Sequence, residues 1–489
     1  MSRQFITTTI PYVNAAPHLG YALEAVQADV LARHARLRGN HVRLLSGTDD
    51  NSLKNVLAAE TAGADVQAFV TANGDRFAAL AGPLSIRYDD FIRTSTDPRH
   101  RPGVEELWQA CADDLYQGRY EGLYCVGCEA YLSPDELDAG RCPEHLVAPQ
   151  HITEQNWFFR LSRYAEPIRD AITSGRLRIE PPGRRNEVLA FLDSGVRDIS
   201  VSRSAGRARG WGIPVPGDPD QVIYVWFDAL ANYINSLRDG LFERWWNGAD
   251  RRTHILGKGV VRFHAVYWPA ILLSAGLKLP TDLLVHEYVG VDGAKISKSA
   301  GTAISPLTYV TSHGVDALRW WLLRDVARIG DTDFTVAKLE ARAREDLTGG
   351  FGNLVHRVVT LIHKSGAETL PAPTTLPACV DVPSAIDAAL EIGDFRTAAA
   401  SLRTYVDAAN RHIETTTPWR LRGDDQAAVL ADLLDACRTI GRELSPFLPD
   451  AAARITAQCT PVDGALPAAV PVFTAIPSGG TAHTAARTE

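Results

Sequence analysis

The spacing of apolar residues in the first fifty positions changes period twice. Thr7, Thr8, Thr9 and Ile10 are β-branched and predict a short buried strand, which Pro11, Asn14 and Pro17 break into an extended loop. From His18 the period becomes helical. Leu19, Leu23, Val26, Val30 and Leu37 fall on one face, and Gly39 and Asn40 stop the run. His41 to Ser46 then supplies a second apolar strand that ends in Gly47, Thr48 and Asp49. The three segments make a βαβ unit with parallel strands, so the loop Pro11 to Gly20 and the turn Gly47 to Asn51 open on the same edge, where α/β sheets bind ligands. His18 and Gly20 stand at a helix N-terminus, where free N–H groups and the helix dipole attract phosphate, and Gly20 removes a Cβ from the approach. By itself, His18-Leu19-Gly20-Tyr21 fits an ordinary α/β turn with a surface histidine better than a phosphate site.

Farther on, Leu53 to Ala62 reads as a short helix closed by Gly63, and Val66 to Leu80 as a longer one. From Gly118 to about Gly217 turn residues accumulate: Gly122, Pro134, Gly140, Pro143, Pro181, Pro182, Gly183, Pro214 and Pro216. That composition fits small inserted modules. The α/β rhythm returns with strands at Val222 to Trp226, His254 to Gly257 and Leu283 to His286. Helices are predicted at Asp228 to Leu237 and at Arg262 to Leu277, the latter kinked at Pro269. From Asp316 strands largely vanish, and Ala317 to Val326, Val336 to Ile362, Ala385 to Ile413 and Asp425 to Leu444 carry helical patterns with short connections, as in an antiparallel bundle. The tail from Thr460 is rich in Pro, Ala, Gly and Thr, and from Pro477 it has the composition of a disordered segment.

Composition narrows the class. A chain of 489 residues has room for two to four domains. No run of 18 or more apolar residues exists, and the chain goes from Met1 straight into a strand, so neither a membrane span nor a signal peptide is expected. Seven cysteines, three of them clustered, point to a reducing compartment and a metal, with the cytoplasm as the default. A net charge of −8 argues against indiscriminate nucleic-acid binding, so RNA contacts would need local basic patches.

Cys125-Val-Gly-Cys128 is followed after thirteen residues by Cys142-Pro-Glu-His145. Two such pairs on neighbouring turns suit a tetrahedral zinc ion, and with all four positions filled the ion is structural. Cys111, Cys379, Cys437 and Cys459 are isolated and read as small buried side chains. Gly293-Ala-Lys295-Ile296-Ser297-Lys298-Ser299-Ala-Gly301 follows the strand at Leu283 to His286 and could place two ammonium groups on a polyphosphate. A solvated basic turn is the alternative. Its pairing with His18 to Tyr21, about 275 residues upstream, makes the combination specific.

On these motifs the chain resembles the class I aminoacyl-tRNA synthetases, and within them the methionyl-tRNA synthetase family. Its two signatures, His-Ile-Gly-His and Lys-Met-Ser-Lys-Ser, are matched by His18 to Tyr21 and Lys295 to Ser299. The likeness continues through GluGlyLeuTyrCys at 121 to 125, TyrValTrpPheAspAla at 224 to 229, ArgPheHisAlaValTyrTrpProAla at 262 to 270 and AspAlaLeuArgTrpTrpLeuLeuArg at 316 to 324. The fold so implied is α/β, a Rossmann-type parallel sheet split by a zinc-containing insertion and followed by an all-α helical bundle. Residues 1–117 and 218–315 would be the two halves of the catalytic domain, 118–217 the connective insertion, 316–459 the anticodon-binding domain and 460–489 a flexible tail.

The resemblance implies a function. Methionine and Mg-ATP would form methionyl-adenylate with release of pyrophosphate, and the acyl group would pass to tRNA(Met). Ile10, Tyr12, Asp49, Trp226, Ala229, Leu230, Tyr233, Val260 and His264 would line the amino-acid pocket; Asp49 suits the substrate ammonium, and Trp226 and Tyr233 suit a thioether. His18, Lys295 and Lys298 would be catalytic, with Gly20, Tyr21, Glu24, Ile296 and Ser297 completing the ATP site. Asn353, Arg357 and Trp419 would read the anticodon. Cofactors would be ATP, Mg2+ and Zn2+, and the enzyme would be a cytoplasmic monomer without membrane contact.

Three departures from the family pattern stand out. Asp49-Asp50-Asn51-Ser52 replaces Asp-Glu-His-Gly, Gly257-Lys258-Gly259 replaces Gly-Lys-Asp, and Tyr21 replaces the second signature histidine. They leave the fold untouched and bear on the nucleotide pocket, rate and inhibitor sensitivity. Competing readings are a diverged paralogue with a secondary role, a non-catalytic tRNA-binding protein, and a nucleotide-binding fold without RNA.

Overall fold

Six short parallel strands form the centre of the amino-terminal half. They are β1 (Arg3–Thr7), β2 (His41–Thr48), β3 (Asp90–Arg93), and, after the insertion strands β4 (Leu115–Cys125) and β5 (Gln150–Phe159), β6 (Arg178–Glu180), β7 (Arg251–Gly257) and β8 (Asp282–His286). The sheet order is β3-β2-β1-β7-β8-β6, and every neighbouring pair is parallel. Phe5, Ile6, Leu44, Leu45, Ile255, Leu256, Leu283 and Leu284 are all buried, as strands covered on both faces require. This is the computed structural model of the chain, and it describes residues 1–127, 129–132, 134–143, 146–291, 294–295, 305–367 and 369–474.

The chain forms two compact units. One comprises Met1–Pro17, Gly39–Ala81 and Arg87–His286, the other His18–Arg38, Gly82–Ile86 and Glu287–Glu489.

In the first unit several predicted boundaries shift. The first strand ends at Thr7, so Thr9 and Ile10 already belong to the following loop; the pattern understated the strand start because Arg3 and Gln4 hold its half-buried end. The strand expected at Val222 to Trp226 stops at Ile223, and helix Val225–Leu230 carries Trp226. Over Arg262 to Leu277 a π-helical turn, Phe263–Tyr267, runs into helix Trp268–Ser274, and Pro269 sits in the first turn of that helix, where a missing N–H costs least. Within the insertion, β4 and β5 form a long antiparallel pair. Gly122, read as a turn residue, and Gly118, where the turn-rich stretch is expected to begin, lie inside β4: a Cβ at Gly118 would come within 3.2 Å of Phe158, and one at Gly122 within 2.5 Å of the Tyr120 hydroxyl. The strand β6 also emerges from the stretch assigned to the insertion and completes the edge of the parallel sheet. Asp282 fastens that edge by accepting from Arg178 at 2.6 Å and Arg251 at 3.2 Å.

The second unit contains α1 (Leu19–Leu37) and the helices after residue 305. Burial on α1 is not confined to one face, because Glu24, Gln27 and Asp29 are buried along with the apolar residues. Asp29 is neutralised by Arg33 and by the fully buried Arg319, each at 2.8 Å. The guanidinium of Arg319 also donates to the carbonyls of Leu84, Pro446 and Phe447, so its charge and its hydrogen-bonding groups are satisfied without water. The predicted run Val336 to Ile362 is helical but passes through a π-helical segment, Ala343–Gly352, before helix Asn353–Ser365. Ala385 to Ile413 divides at Gly393, whose φ of +67° ends one helix before Phe395–Thr416 begins. No helix among the described residues is long and apolar enough to cross a membrane.

Candidate active site

The loop after β1 and the end of β2 meet in the first unit because residue 47 is glycine. A Cβ there would lie 2.2 Å from the Ile92 carbonyl and 3.0 Å from a methyl of Ile10. Beyond it Tyr12 and Asp49 form a parallel bridge, with the Asp49 N–H donating to Pro11 O at 2.9 Å. Asp49 is 2 % exposed. Burial, then the charges of Asp228, Glu129 and Asp50, hold its carboxyl well above the usual range. Tyr12 is shifted the same way, first by burial and then by Glu129 and Asp49, so its phenol keeps its proton. The Tyr12 hydroxyl and the Trp226 indole N–H are buried polar groups with no hydrogen-bond partner in the structure, and the two rings lie 6.3 Å apart at 67°. Polar atoms so placed are suited to a ligand.

The helix Val225–Leu230 brings Trp226, Ala229 and Leu230 to the same region, and Trp226 stacks on Phe263 at 3.7 Å and 5°. Facing it, His264 is fixed through both ring nitrogens: Nδ1 donates to Val260 O at 2.9 Å, which leaves Nε2 to accept the Tyr233 phenol at 2.8 Å. Tyr233 in turn stacks on His254 at 4.2 Å, and burial pushes that imidazole well below its usual value. A second network ties the walls together. Asp228 is 1 % exposed and accepts from Asn51 Nδ2 at 2.8 Å and from His100 Nε2 at 2.5 Å. Sequence reasoning missed Phe263, His254, Asp228 and His100, although Phe263 and Asp228 lie inside the motifs it singled out. The arrangement offers a carboxylate for an ammonium at one end and aromatic faces for a polarisable apolar group at the other.

In the second unit His18 caps α1, its Nδ1 accepting from Gly20 N–H at 3.0 Å. The predicted reason for Gly20 therefore changes: a Cβ would lie 2.9 Å from the His18 ring itself, and the Gly20 amide is engaged by that ring rather than free for phosphate. Tyr21 and Glu24 are buried on α1. Of the lysine loop, the backbone of Lys295 pairs with Gly290, while Ile296, Ser297 and Lys298 lie outside the described residues. Asn353 and Arg357 are on one helix, and the Arg357 guanidinium lies 5.9 Å from the ring of Trp419, which is 45 % exposed. Cys125 and Cys142 are buried, whereas Cys128 and His145 lie outside the described residues. Among the described residues no cluster of three metal-ligating side chains is found.

The family described as tRNA synthetases class I (M) matches residues 4–151 and 145–359. A methionine–tRNA ligase of Nostoc sp. is 37% identical over 480 residues, 93% of this chain and 89% of that protein. One of Thermotoga maritima is 36% identical, covering 91% of this chain and 73% of that protein. A crystal structure of the Mycobacterium tuberculosis methionyl-tRNA synthetase bound by methionyl-adenylate superposes with a TM-score of 0.88 at 32% identity, covering 96% of this chain and all of that one. The chain belongs to the class I tRNA synthetases, in the branch to which the methionyl enzymes belong.

Proposed function

We infer that the chain is a methionine–tRNA ligase, which activates methionine with Mg-ATP and transfers it to tRNA(Met). The observation that carries this is the pocket of the first unit, where the buried Asp49 carboxyl, the unpartnered Tyr12 hydroxyl and Trp226 N–H, and the stacked Trp226 and Phe263 rings form one lining. Ile10, Ala229, Leu230, Tyr233, Val260 and His264 complete it. The Tyr233–His264 pair lends aromatic faces to the far wall, which suit a thioether.

No protein nucleophile is needed, because the methionine carboxylate attacks the α-phosphorus and a tRNA ribose hydroxyl then takes the acyl group. Catalysis then rests on positioning and charge stabilisation. His18, Lys295 and Lys298 act on the triphosphate, with Gly20, Tyr21, Glu24, Ile296 and Ser297 around the nucleotide. The neutral His18 ring, accepting at Nδ1, carries its proton on Nε2 and so can donate to phosphate. Asn353 and Arg357 hydrogen-bond the anticodon while the half-exposed Trp419 stacks on it.

Cys125, Cys128, Cys142 and His145 are the zinc ligands in this reading. The burial of the Cys125 and Cys142 thiols fits them to that ion, which would hold the insertion turns together. The enzyme is proposed to be cytoplasmic and monomeric. The test is ATP–pyrophosphate exchange across all the amino acids, followed by charging of methionine tRNA with native and altered anticodons. Preference for methionine and loss of charging on the altered anticodon are expected; preference for another amino acid overturns the reading. A diverged paralogue remains the second reading, favoured by Asn51, which bonds Asp228 where the family has histidine.

A further inference from the structure

We propose that Glu129 is a positioning residue for the amino-acid site, latching the Asp49 turn to the cysteine-bearing insertion through Ser52. Glu129 follows Cys128 in the chain, is 1 % exposed, and has a φ of +50°, a left-handed conformation unusual for a residue with a side chain. Both of its polar ends are held. Its carboxylate oxygen Oε1 accepts the Ser52 hydroxyl at 2.7 Å and the Lys54 N–H at 2.9 Å, at the start of the helix Leu53–Thr61. A carboxylate at a helix N-terminus is doubly favoured, by the unsatisfied amides and by the dipole.

Its main-chain carbonyl accepts the Tyr224 phenol at 2.7 Å and Arg203 Nη2 at 3.1 Å, and the Arg203 guanidinium lies 4.4 Å from the Tyr224 ring. Tyr224 immediately precedes the helix that carries Trp226. One residue therefore grips both walls of the pocket: the turn Asp49 to Ser52 by its side chain, and the start of the Trp226 helix by its backbone.

Ser52 supplies the hydroxyl on which the latch depends. The family motif has glycine there, with no hydroxyl to give. The same serine caps the helix, its Oγ accepting from Lys54 N–H at 3.0 Å, so the substitution adds a cap and a tether together.

The inference rests on reading the pocket as the methionine site. It is tested in the full-length enzyme by ATP–pyrophosphate exchange and by equilibrium dialysis of methionine alone. Glu129→Ala should raise the KM and Kd for methionine by about tenfold or more, the scale on which a misplaced binding group acts. The KM for ATP and the zinc content should stay as in the parent enzyme. Glu129→Gln, which keeps an acceptor in place, should recover most of the affinity, and Ser52→Gly should lose about tenfold, as for one hydrogen bond to a charged group. Glu129→Ala with parental methionine affinity overturns the proposal. So does a loss shared equally by methionine and ATP, or one that tracks loss of zinc. A parent enzyme that does not exchange with methionine strikes the functional reading instead.

Discussion

The Tyr233 hydroxyl and His264 Nε2 are hydrogen-bonded at 2.8 Å, and because Nδ1 of the same ring gives its proton to Val260 O, the phenol is the donor to the neutral imidazole. Tyr233→Phe keeps the ring but leaves a buried imidazole nitrogen unsatisfied, which costs about 1–3 kcal/mol. The expected outcome is a methionine KM raised by about tenfold, with the KM for ATP unchanged. Exchange kinetics across methionine concentrations would show it, and an unaltered KM would remove this pair from the specificity wall.

Asp49 titrates above the ordinary carboxylate range, first through burial and then through Asp228, Glu129 and Asp50. It must be ionised to hold an ammonium, so the methionine KM should climb as pH falls through that raised value, earlier than an exposed aspartate would allow. Folding carries the opposite sign. A carboxyl whose folded pKa is raised contributes its stability at low pH and loses it as pH rises from the unfolded value, about 3.9, towards the folded one. Asp49→Asn should therefore melt progressively higher than the parent enzyme as pH is raised while losing methionine affinity. Melting curves at several pH values measure the first effect and equilibrium dialysis the second.

His254 runs the other way. Its imidazole is held well below the usual value by burial, then by His264 and Arg252. Its contribution to stability is present above the unfolded value of about 6.5 and lost as pH falls towards the folded value. Acid should therefore loosen the wall on which Tyr233 stacks, and His254→Gln should flatten the fall in melting temperature below about pH 6.5. A parallel fall in parent and variant would count against it.

Much of the α/β core was legible because period carries it: the strands around His41, His254 and Leu283 and the helix after His18 emerge within a few residues of their predicted ends. The failures have separate physical causes. Gly122 reads as a turn but, like Gly118, serves to admit an aromatic side chain inside a strand. The three-residue strand at Arg178 is too short for periodicity and owes its place to pairing with β8 and to the Asp282 clamp. In the pocket, aromatic and carboxylate positions followed from the motifs, whereas His100 could not, because its role exists only through contact with Asp228, 128 positions away.

Trp419 presents a half-exposed ring after Thr417, whose left-handed backbone turns the chain out of the preceding helix. Stacking a base on such a ring is worth about 1–3 kcal/mol. Trp419→Ala should accordingly reduce kcat/KM for tRNA charging about tenfold or more, while pyrophosphate exchange proceeds at the parental rate. Equal loss in both assays would assign the residue to the stability of its helices.

Arg319 works as a rivet. With Asp29, Leu84, Pro446 and Phe447 all bound to one enclosed guanidinium, none of those segments can slacken without leaving a stranded charge or an orphaned carbonyl in the others. The helix headed by His18 is thereby pinned to the turn at Pro446 and Phe447, so the histidine of the first signature stands on an element that cannot drift away from the end of the last long helices.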